Sequence, residues 1–199
     1  MSSLIWIELD AHAPAHNINE IRTGLQKEVL ICAVVKANAY GHGVRQVVPL
    51  FKGADWFAVN SLEEGLELQE IGVQKPVLVL GHIPISRLPE AVEAGFRLTV
   101  FNMETIASLL KLNTGGTPVR IHLKIETGTG RQGILPGQVA DYIREIQESD
   151  RIVLEGVSTH FANIEDTLNY DYSHRQLTIL RNALENMQKL GENPPVIHT

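Results

Sequence analysis

The sequence of 199 residues has only one cysteine and no long apolar run. A single cysteine, Cys32, cannot form an internal disulfide, which fits a reducing compartment, and we expect it to be a small core residue. No stretch approaches the ~20 apolar residues of a membrane-spanning helix. The N-terminus lacks the basic and then apolar order of a secretory signal. The predicted location is therefore the cytoplasm, with no membrane partner.

The sequence also lacks an excess of positive charge, because 17 Lys and Arg stand against 23 Asp and Glu, a formal net charge of -6. This balance provides no basic surface for nucleic acid. No Gly-x-Gly-x-x-Gly follows the first predicted strand, which disfavours a dinucleotide site. No His, Cys or Asp spacing is typical of a metal site, so no metal is predicted. The hydrophobic content of 44% is that of a globular domain with a real core.

Seven short apolar runs alternate with amphipathic stretches along the chain. Helix starts are indicated by good N-cap residues at Ser61, Asn102 and Asp166, the first with Glu64 in a capping box. Repeated alternation of strand and helix implies a parallel sheet, either open and doubly wound or closed into a barrel. The predicted strands cover Val29–Val35, Trp56–Val59, Val77–Leu80, Leu98–Phe101, Val119–Ile125, Ile152–Val157 and Val196–His198.

One lysine, Lys36, ends the first apolar run. A solvated lysine that caps a strand is the simpler interpretation, because charged side chains are seldom buried unpaired. Alternatively, low polarity at the strand end depresses the pKa of the ammonium group, and a neutral amine is a nucleophile toward aldehydes. Tyr40 follows in a glycine-flanked loop positioned to close over a ligand.

A second polar group of residues lies on and after the predicted strand Val119–Ile125. Its polar face carries His122, Lys124 and Glu126, which would be wet in a half-exposed strand and would need partners inside a barrel. A glycine-rich loop follows and ends at Arg131, whose guanidinium suits carboxylates and phenolate oxygens.

The segment Lys36–Gly43, Lys-Ala-Asn-Ala-Tyr-Gly-His-Gly, resembles the pyridoxal 5'-phosphate (PLP) lysine motif of bacterial alanine racemases. This resemblance implies an α/β fold, the (β/α)8 TIM-type barrel, with PLP as cofactor. The rest of the chain resembles the family in the same order, through Trp6, Asp10 and Asn17, the stretch His122–Arg131, and Thr159–Ala162.

The resemblance also implies roles for individual residues. Lys36 would be joined to PLP and serve as the catalytic base on one face of the substrate, and the lysine matching Lys124 is commonly carbamylated in the family. Glu126 stands where the family usually has Asp. The implied cofactor contacts are Tyr40 to the phosphate, Leu80 and His160 near the ring, and Arg131 to the ring oxygen and also to the substrate carboxylate.

Residues 1–199 are predicted to form an incomplete N-terminal PLP-binding barrel domain. A barrel of this type usually needs about 250 residues and eight strands, whereas six strand–helix units and the start of a seventh strand are indicated before Thr199. The rest of the barrel and the family's C-terminal β domain are absent. The chain is then a piece of a longer protein, the product of an incomplete gene, or a protein completed by a partner.

The predicted function is interconversion of L- and D-alanine, which supplies D-alanine for the cell wall, by a homodimer. In the family the acid on the opposite face is a tyrosine of the partner's C-terminal domain, so this chain alone is expected to be inactive. Three alternatives are a single-domain PLP carrier without racemase activity, an aldolase barrel that uses Lys36 without PLP, and a non-catalytic interaction module.

Overall fold

A computed structural model describes residues 5–165 and 168–199, so the helix start predicted at Asp166 lies outside the described residues. The chain divides into two compact units, residues 1–83 and 84–199. The first unit contains α1 (Ala13–Thr23), β1 (Cys32–Val34), α2 (Lys36–Tyr40), α3 (Val44–Val47), a 3₁₀ turn (Val48–Leu50), β2 (Trp56–Val59), α4 (Leu62–Glu70) and β3 (Val77–Val79).

The second unit continues the same alternation of strand and helix. It contains a 3₁₀ turn (Ile85–Arg87), α5 (Leu88–Glu93), β4 (Arg97–Val100), α6 (Met103–Leu109), β5 (Val119–Lys124), a 3₁₀ turn (Pro136–Gln138), α7 (Val139–Gln147), β6 (Ile152–Ser158), α8 (Asp171–Lys189) and β7 (Val196–His198). None of the helices in the described part of the chain is long and apolar enough to cross a bilayer.

The strands of the first unit pair in parallel, β1 with β2 and β2 with β3. β1 is shorter than predicted because side chains replace its first ladder bonds: Arg22 Nη1 donates to the Val29 oxygen at 2.5 Å, and the Ile31 N–H donates to Asp55 Oδ2 at 2.7 Å. Cys32 is exposed on this strand, so the expectation of a core cysteine is wrong. Its side chain and that of Val34 share the exposed face of a strand whose other face is buried.

The strands of the second unit are also parallel, and one irregularity interrupts their register. Ile121 pairs with Leu154, but the next residue, His122, pairs with Gly156. Glu155 is therefore an extra residue, a β-bulge that re-aims side chains on β6. All seven predicted strands are present among the described residues, β2 and β7 with the predicted bounds.

Helices cover the strands through regular apolar stripes. On α7 the buried residues follow the 3.6-residue period at Val139, Tyr142, Ile143 and Ile146. On α8 the buried positions are Ser173, Gln176, Leu180, Ala183 and Met187, so the stripe is polar in its first turns and apolar after them. The predicted capping box at Ser61 and N-cap at Asn102 are both present.

Candidate active site

Lys36 lies two residues past the carboxyl end of β1, at the start of α2, and α2 is a left-handed turn rather than a regular α-helix. Ala37, Asn38, Ala39 and Tyr40 all have φ between 52° and 56°. Non-glycine residues adopt this conformation at a cost of roughly 1–2 kcal/mol each. Four in succession require surrounding structure that holds them in place, and such strain is concentrated at functional sites. Lys36 is half-buried at the start of this turn, and Tyr40 at its end is 60% exposed.

A carboxylate and an amide hold the left-handed turn. Glu64 Oε1 accepts the Ala37 N–H at 2.7 Å, while its Oε2 accepts the Asn60 N–H at 2.6 Å after β2. Asn38 Oδ1 accepts the Val44 N–H at 2.8 Å and so starts α3. The sequence pattern identified Glu64 as a capping-box residue, but it gave no sign of the bond to Ala37.

Leu80 follows β3 directly and is half-buried. Its N–H donates to the Val59 oxygen at 2.8 Å, which extends the parallel ladder beyond β3. The next residue, Gly81, approaches the neighbouring chain so closely that an added Cβ would lie 2.3 Å from the main-chain oxygen of Asn60. In the first unit, Lys36 and Leu80 thus lie directly past the carboxyl ends of their strands.

In the second unit Lys124 ends β5 and the predicted glycine-rich loop follows. The loop is closed by the Ile134 N–H donating to the Lys124 oxygen at 2.8 Å and the Glu126 N–H donating to the Ile134 oxygen at 2.9 Å. The Glu126 carboxylate accepts main-chain N–H groups of the loop, Gly128 at 2.5 Å and Arg131 at 3.2 Å. These main-chain N–H groups, which could otherwise bind an anion, are therefore used within the loop.

The charge of Glu126 is stabilised by this arrangement. Burial raises the pKa of its carboxyl, but main-chain N–H groups from Gly130, Gly128, Arg131 and Thr129 outweigh burial and bring the pKa below its ordinary value. Glu126 is thus an anion around which the loop is wound. The loop ends at Arg131, whose side chain is exposed.

His160 lies two residues past β6, and its side chain is exposed. Its main-chain oxygen accepts the Thr129 hydroxyl and, at 3.1 Å, the Gln176 side-chain amide. The loop after β5 and the loop after β6 are therefore joined. Of the residues predicted for the site, the second unit holds Lys124, Arg131 and His160, and the first holds Lys36, Tyr40 and Leu80.

A cluster of polar side chains, largely buried, lies on the strands of the second unit. His122 is fully buried; its Nδ1 lies 2.8 Å from His198 Nε2 and its Nε2 lies 3.3 Å from Glu155 Oε2. Arg97 Nε donates to the same Glu155 oxygen at 3.0 Å. Burial lowers the pKa of His122, an effect that Glu155 opposes and Arg97 reinforces. Burial also lowers the pKa of His198 to about 4, with smaller contributions from the charges of His122 and Lys124.

The polar face of the predicted strand indicated that His122 needs partners, but it indicated neither Glu155 nor His198. A signal was present in the dipeptide Glu155-Gly156 within an otherwise apolar run, because a charged residue in such a run needs a partner. Gly156 supplies the space, since an added Cβ would lie 2.5 Å from His122 Nδ1.

Comparison with known proteins identifies the family. The protein-family model described as "Alanine racemase, N-terminal domain" matches residues 9–199. The chain belongs to this family. It is 36% identical to alanine racemase 2 of Caldanaerobacter subterraneus subsp. tengcongensis over 198 residues, which cover 96% of this chain and 50% of that protein. It is 38% identical to the alanine racemase of Geobacillus stearothermophilus over 196 residues, 97% of this chain and 50% of the relative.

Solved structures agree with the family assignment. The alanine racemase from Bacillus anthracis with bound L-Ala-P superposes with a TM-score of 0.89 at 33% identity, covering 98% of this chain and 51% of that one. The alanine racemase from Corynebacterium glutamicum gives a TM-score of 0.88 at 29% identity over 96% of this chain and 55% of the other. The predicted fold class, a TIM-type α/β barrel carried only in part, is confirmed. The chain spans about half the length of the curated relatives it matches.

Proposed function

We propose that this chain is the N-terminal, PLP-binding part of a racemase that interconverts L- and D-alanine. The observation that carries the proposal is the placement of Lys36 at the carboxyl end of β1, before a strained left-handed turn held by Glu64. A costly conformation directly after one amine indicates that the position of this amine matters. Membership of the alanine racemase N-terminal domain family supports the same conclusion.

The residues present fit the chemistry of PLP, which offers an aldehyde, an anionic phosphate, a phenolic oxygen and an aromatic ring. The Lys36 amine suits the aldehyde and the Tyr40 hydroxyl suits the phosphate. The Arg131 guanidinium suits the phenolic oxygen. Leu80 and His160 would pack near the ring. When bound, PLP supplies an electron sink that makes the α-proton of an amino acid removable.

The residues of this chain would then bind the substrate and move one proton. Lys36 Nζ would accept the α-proton on one face, and Arg131 would bind the substrate carboxylate. Carbamylation of Lys124 would convert a cation into an anion able to orient Arg131, because unmodified lysine and arginine repel each other.

Racemisation also needs an acid on the opposite face, because a group on one side cannot return a proton to the other. We assign that acid to the remaining half of the complete protein, contributed by the partner subunit of a homodimer. The 199-residue chain alone is therefore proposed to be inactive as a racemase. We further propose a cytoplasmic location for the complete protein.

The cofactor part of the proposal is tested with the purified chain and PLP. We expect an absorbance band that stays with the protein after free PLP is removed, and borohydride reduction followed by peptide mass mapping should find the added mass on Lys36. Lys36→Ala should lose both signals, whereas Lys111→Ala, at an exposed position, should keep them. A band and a mapped adduct that survive Lys36→Ala would remove Lys36 from its role.

The substrate part is tested by following L- to D-alanine conversion. The chain alone with PLP should give no turnover above a blank. The same segment within its full-length protein should racemise alanine and lose the activity on Lys36→Ala. Turnover by the purified chain alone would contradict the proposed inactivity. A full-length protein that binds PLP at Lys36 without racemising alanine would instead indicate a PLP carrier.

A further inference from the structure

We propose that Gln176 is a positioning residue that fixes the spacing of the two loops carrying Arg131 and His160. The inference rests on the proposed function, because those loops matter only if they serve the PLP site. It concerns a residue of helix α8 to which the sequence pattern assigned no role. Gln176 is fully buried on the stripe that continues along α8 as Leu180, Ala183 and Met187.

The side-chain amide of Gln176 uses its oxygen and its nitrogen between the two loops. Its Nε2 donates to Thr127 Oγ1 at 3.2 Å in the loop after β5 and to the His160 oxygen at 3.1 Å in the loop after β6. Its Oε1 accepts the Ala162 N–H at 2.9 Å. One buried side chain therefore satisfies groups on two separate segments, and its amide orientation is fixed by them.

Two threonine hydroxyls extend this hydrogen-bond network, and the donor and acceptor of each bond follow from their partners. The Thr159 hydroxyl donates to the Ile125 oxygen at 3.0 Å, so its single proton is committed. Thr127 Oγ1 lies 2.6 Å from Thr159 Oγ1, and Thr127 must therefore be the donor of that pair. Thr127 is then left with lone pairs that accept from Gln176. Both threonines are buried, so water cannot easily replace any of these hydrogen bonds.

Tyr172 adds a second attachment one helical turn before Gln176. Its hydroxyl donates to the Gly128 oxygen at 2.5 Å, next to Thr127 in the loop. Since residues four apart lie on the same face of a helix, Tyr172 and Gln176 of α8 both bind this loop, at two adjacent residues. Three residues further along the loop is Arg131, and Gln176 itself holds the main chain of His160. Helix α8 thus holds the main chain of both loops.

The test changes the hydrogen-bonding character of Gln176 while keeping its size. Gln176→Met removes the donors and the acceptor, and Gln176→Glu replaces the donating nitrogen by an oxygen that faces the His160 oxygen. Gln188→Glu, at an exposed position of the same helix, controls for the added charge. Without PLP, amide hydrogen exchange at Ala162 should accelerate at least tenfold in Gln176→Met, which lacks the acceptor for the Ala162 N–H. It should stay near the wild-type rate in Gln176→Glu, which keeps an oxygen acceptor, and in the control.

With PLP, both Gln176 variants should still form the adduct at Lys36, but with a dissociation constant for PLP at least tenfold higher. The pH midpoint of the visible band should shift toward that of Arg131→Gln. In the Arg131→Gln background, Gln176→Met should give no further shift, because the two changes then act through one group. A lost contribution to stability alone would not move this midpoint.

The outcomes separate this inference from the proposed function. A wild-type chain that forms no PLP adduct at Lys36 overturns both. If the wild-type chain forms the adduct, either of two results overturns the positioning role alone. One is unchanged hydrogen exchange at Ala162 in Gln176→Met together with unchanged PLP affinity and pH midpoint in both Gln176 variants. The other is a set of shifts that add to those of Arg131→Gln. Should the Gln176 variants not fold, Thr127→Val and Thr127→Ser carry the test: valine should reproduce the predicted shifts and serine, which keeps the hydroxyl, should restore wild-type behaviour.

Discussion

The pair formed by His122 and His198 should make the stability of the chain depend on pH between about 7 and 5. The pKa of His198 is lowered from 6.5 to about 4, chiefly by burial. The unfolded chain therefore binds more protons than the folded chain in this window, and the free energy of unfolding must fall as the pH falls. His122, fully buried and with a lowered pKa, contributes in the same direction.

The size of the effect follows from linkage. With a folded-state pKa of about 4 and an unfolded value of 6.5, His198 alone removes about 2 kcal/mol at pH 5 relative to pH 7.5. Partial solvent contact of His198 reduces this figure, and His122 adds to it. The full contribution is present above pH 6.5 and is progressively lost toward pH 4. Glu155, Arg97 and Lys124 are charged groups that act on the pair, and Glu155 is also paired with Arg120 at 3.3 Å.

The measurement is urea unfolding followed by circular dichroism at pH 7.5, 6.5, 5.5 and 5.0, above the range in which most carboxylates titrate. His198→Gln keeps a polar group that can reach His122 but does not titrate, so the loss of stability over this window should shrink by at least half. His16→Gln, at an exposed position, should leave the slope unchanged. A slope that is the same in His198→Gln as in the wild type, or stability that rises on acidification, would refute the reasoning.

Three further substitutions test close packing and capping by urea unfolding at pH 7.5. Gly156→Ala should lower the free energy of unfolding by about 1–3 kcal/mol, because the new Cβ would lie 2.5 Å from His122 Nδ1. Gly81→Ala should cost a similar amount, since its Cβ would meet a main-chain oxygen at 2.3 Å; Gly137→Ala, which meets nothing within 4 Å, should be near neutral and is the control for both. Ser61→Ala removes an N-cap bond and should cost about 1 kcal/mol. Equal effects at the crowded and open glycines would contradict the packing argument.

The sequence was sufficient for the order of elements because that order depends on local patterns. Apolar runs, the capping box at Ser61 and the N-cap Asn102 act over a few residues, and each has the predicted role. The bounds of β1 were wrong because Asp55, more than twenty residues away, takes the Ile31 N–H that a longer strand would have used. Long-range side-chain bonds of this kind leave no periodic trace in the sequence.

The candidate site residues were predicted from the sequence, but the side chains that hold them in place were not. Lys36 and Arg131 belong to short motifs that resemble those of bacterial alanine racemases, and this resemblance carries the prediction. Gln176 was not predicted because its partners, Thr127 and the main chain of His160, come together only after β5, β6 and α8 have packed. A polar residue on the apolar stripe of a helix does indicate that it has buried hydrogen-bond partners.

Both units use the same physical device just past a strand end, and this explains why acidic residues recur beside the predicted cationic ones. Glu64 accepts the N–H of Ala37, the residue after Lys36, and Glu126 accepts the N–H of Arg131 itself. In each case a carboxylate binds main-chain N–H groups, which fixes the backbone next to a cationic side chain without an ion pair to that side chain. An acidic residue placed directly on the ammonium or guanidinium would compete with an anionic ligand for it. A carboxylate bonded to the adjoining backbone holds that backbone in place and leaves the side chains of Lys36 and Arg131 to the proposed ligand.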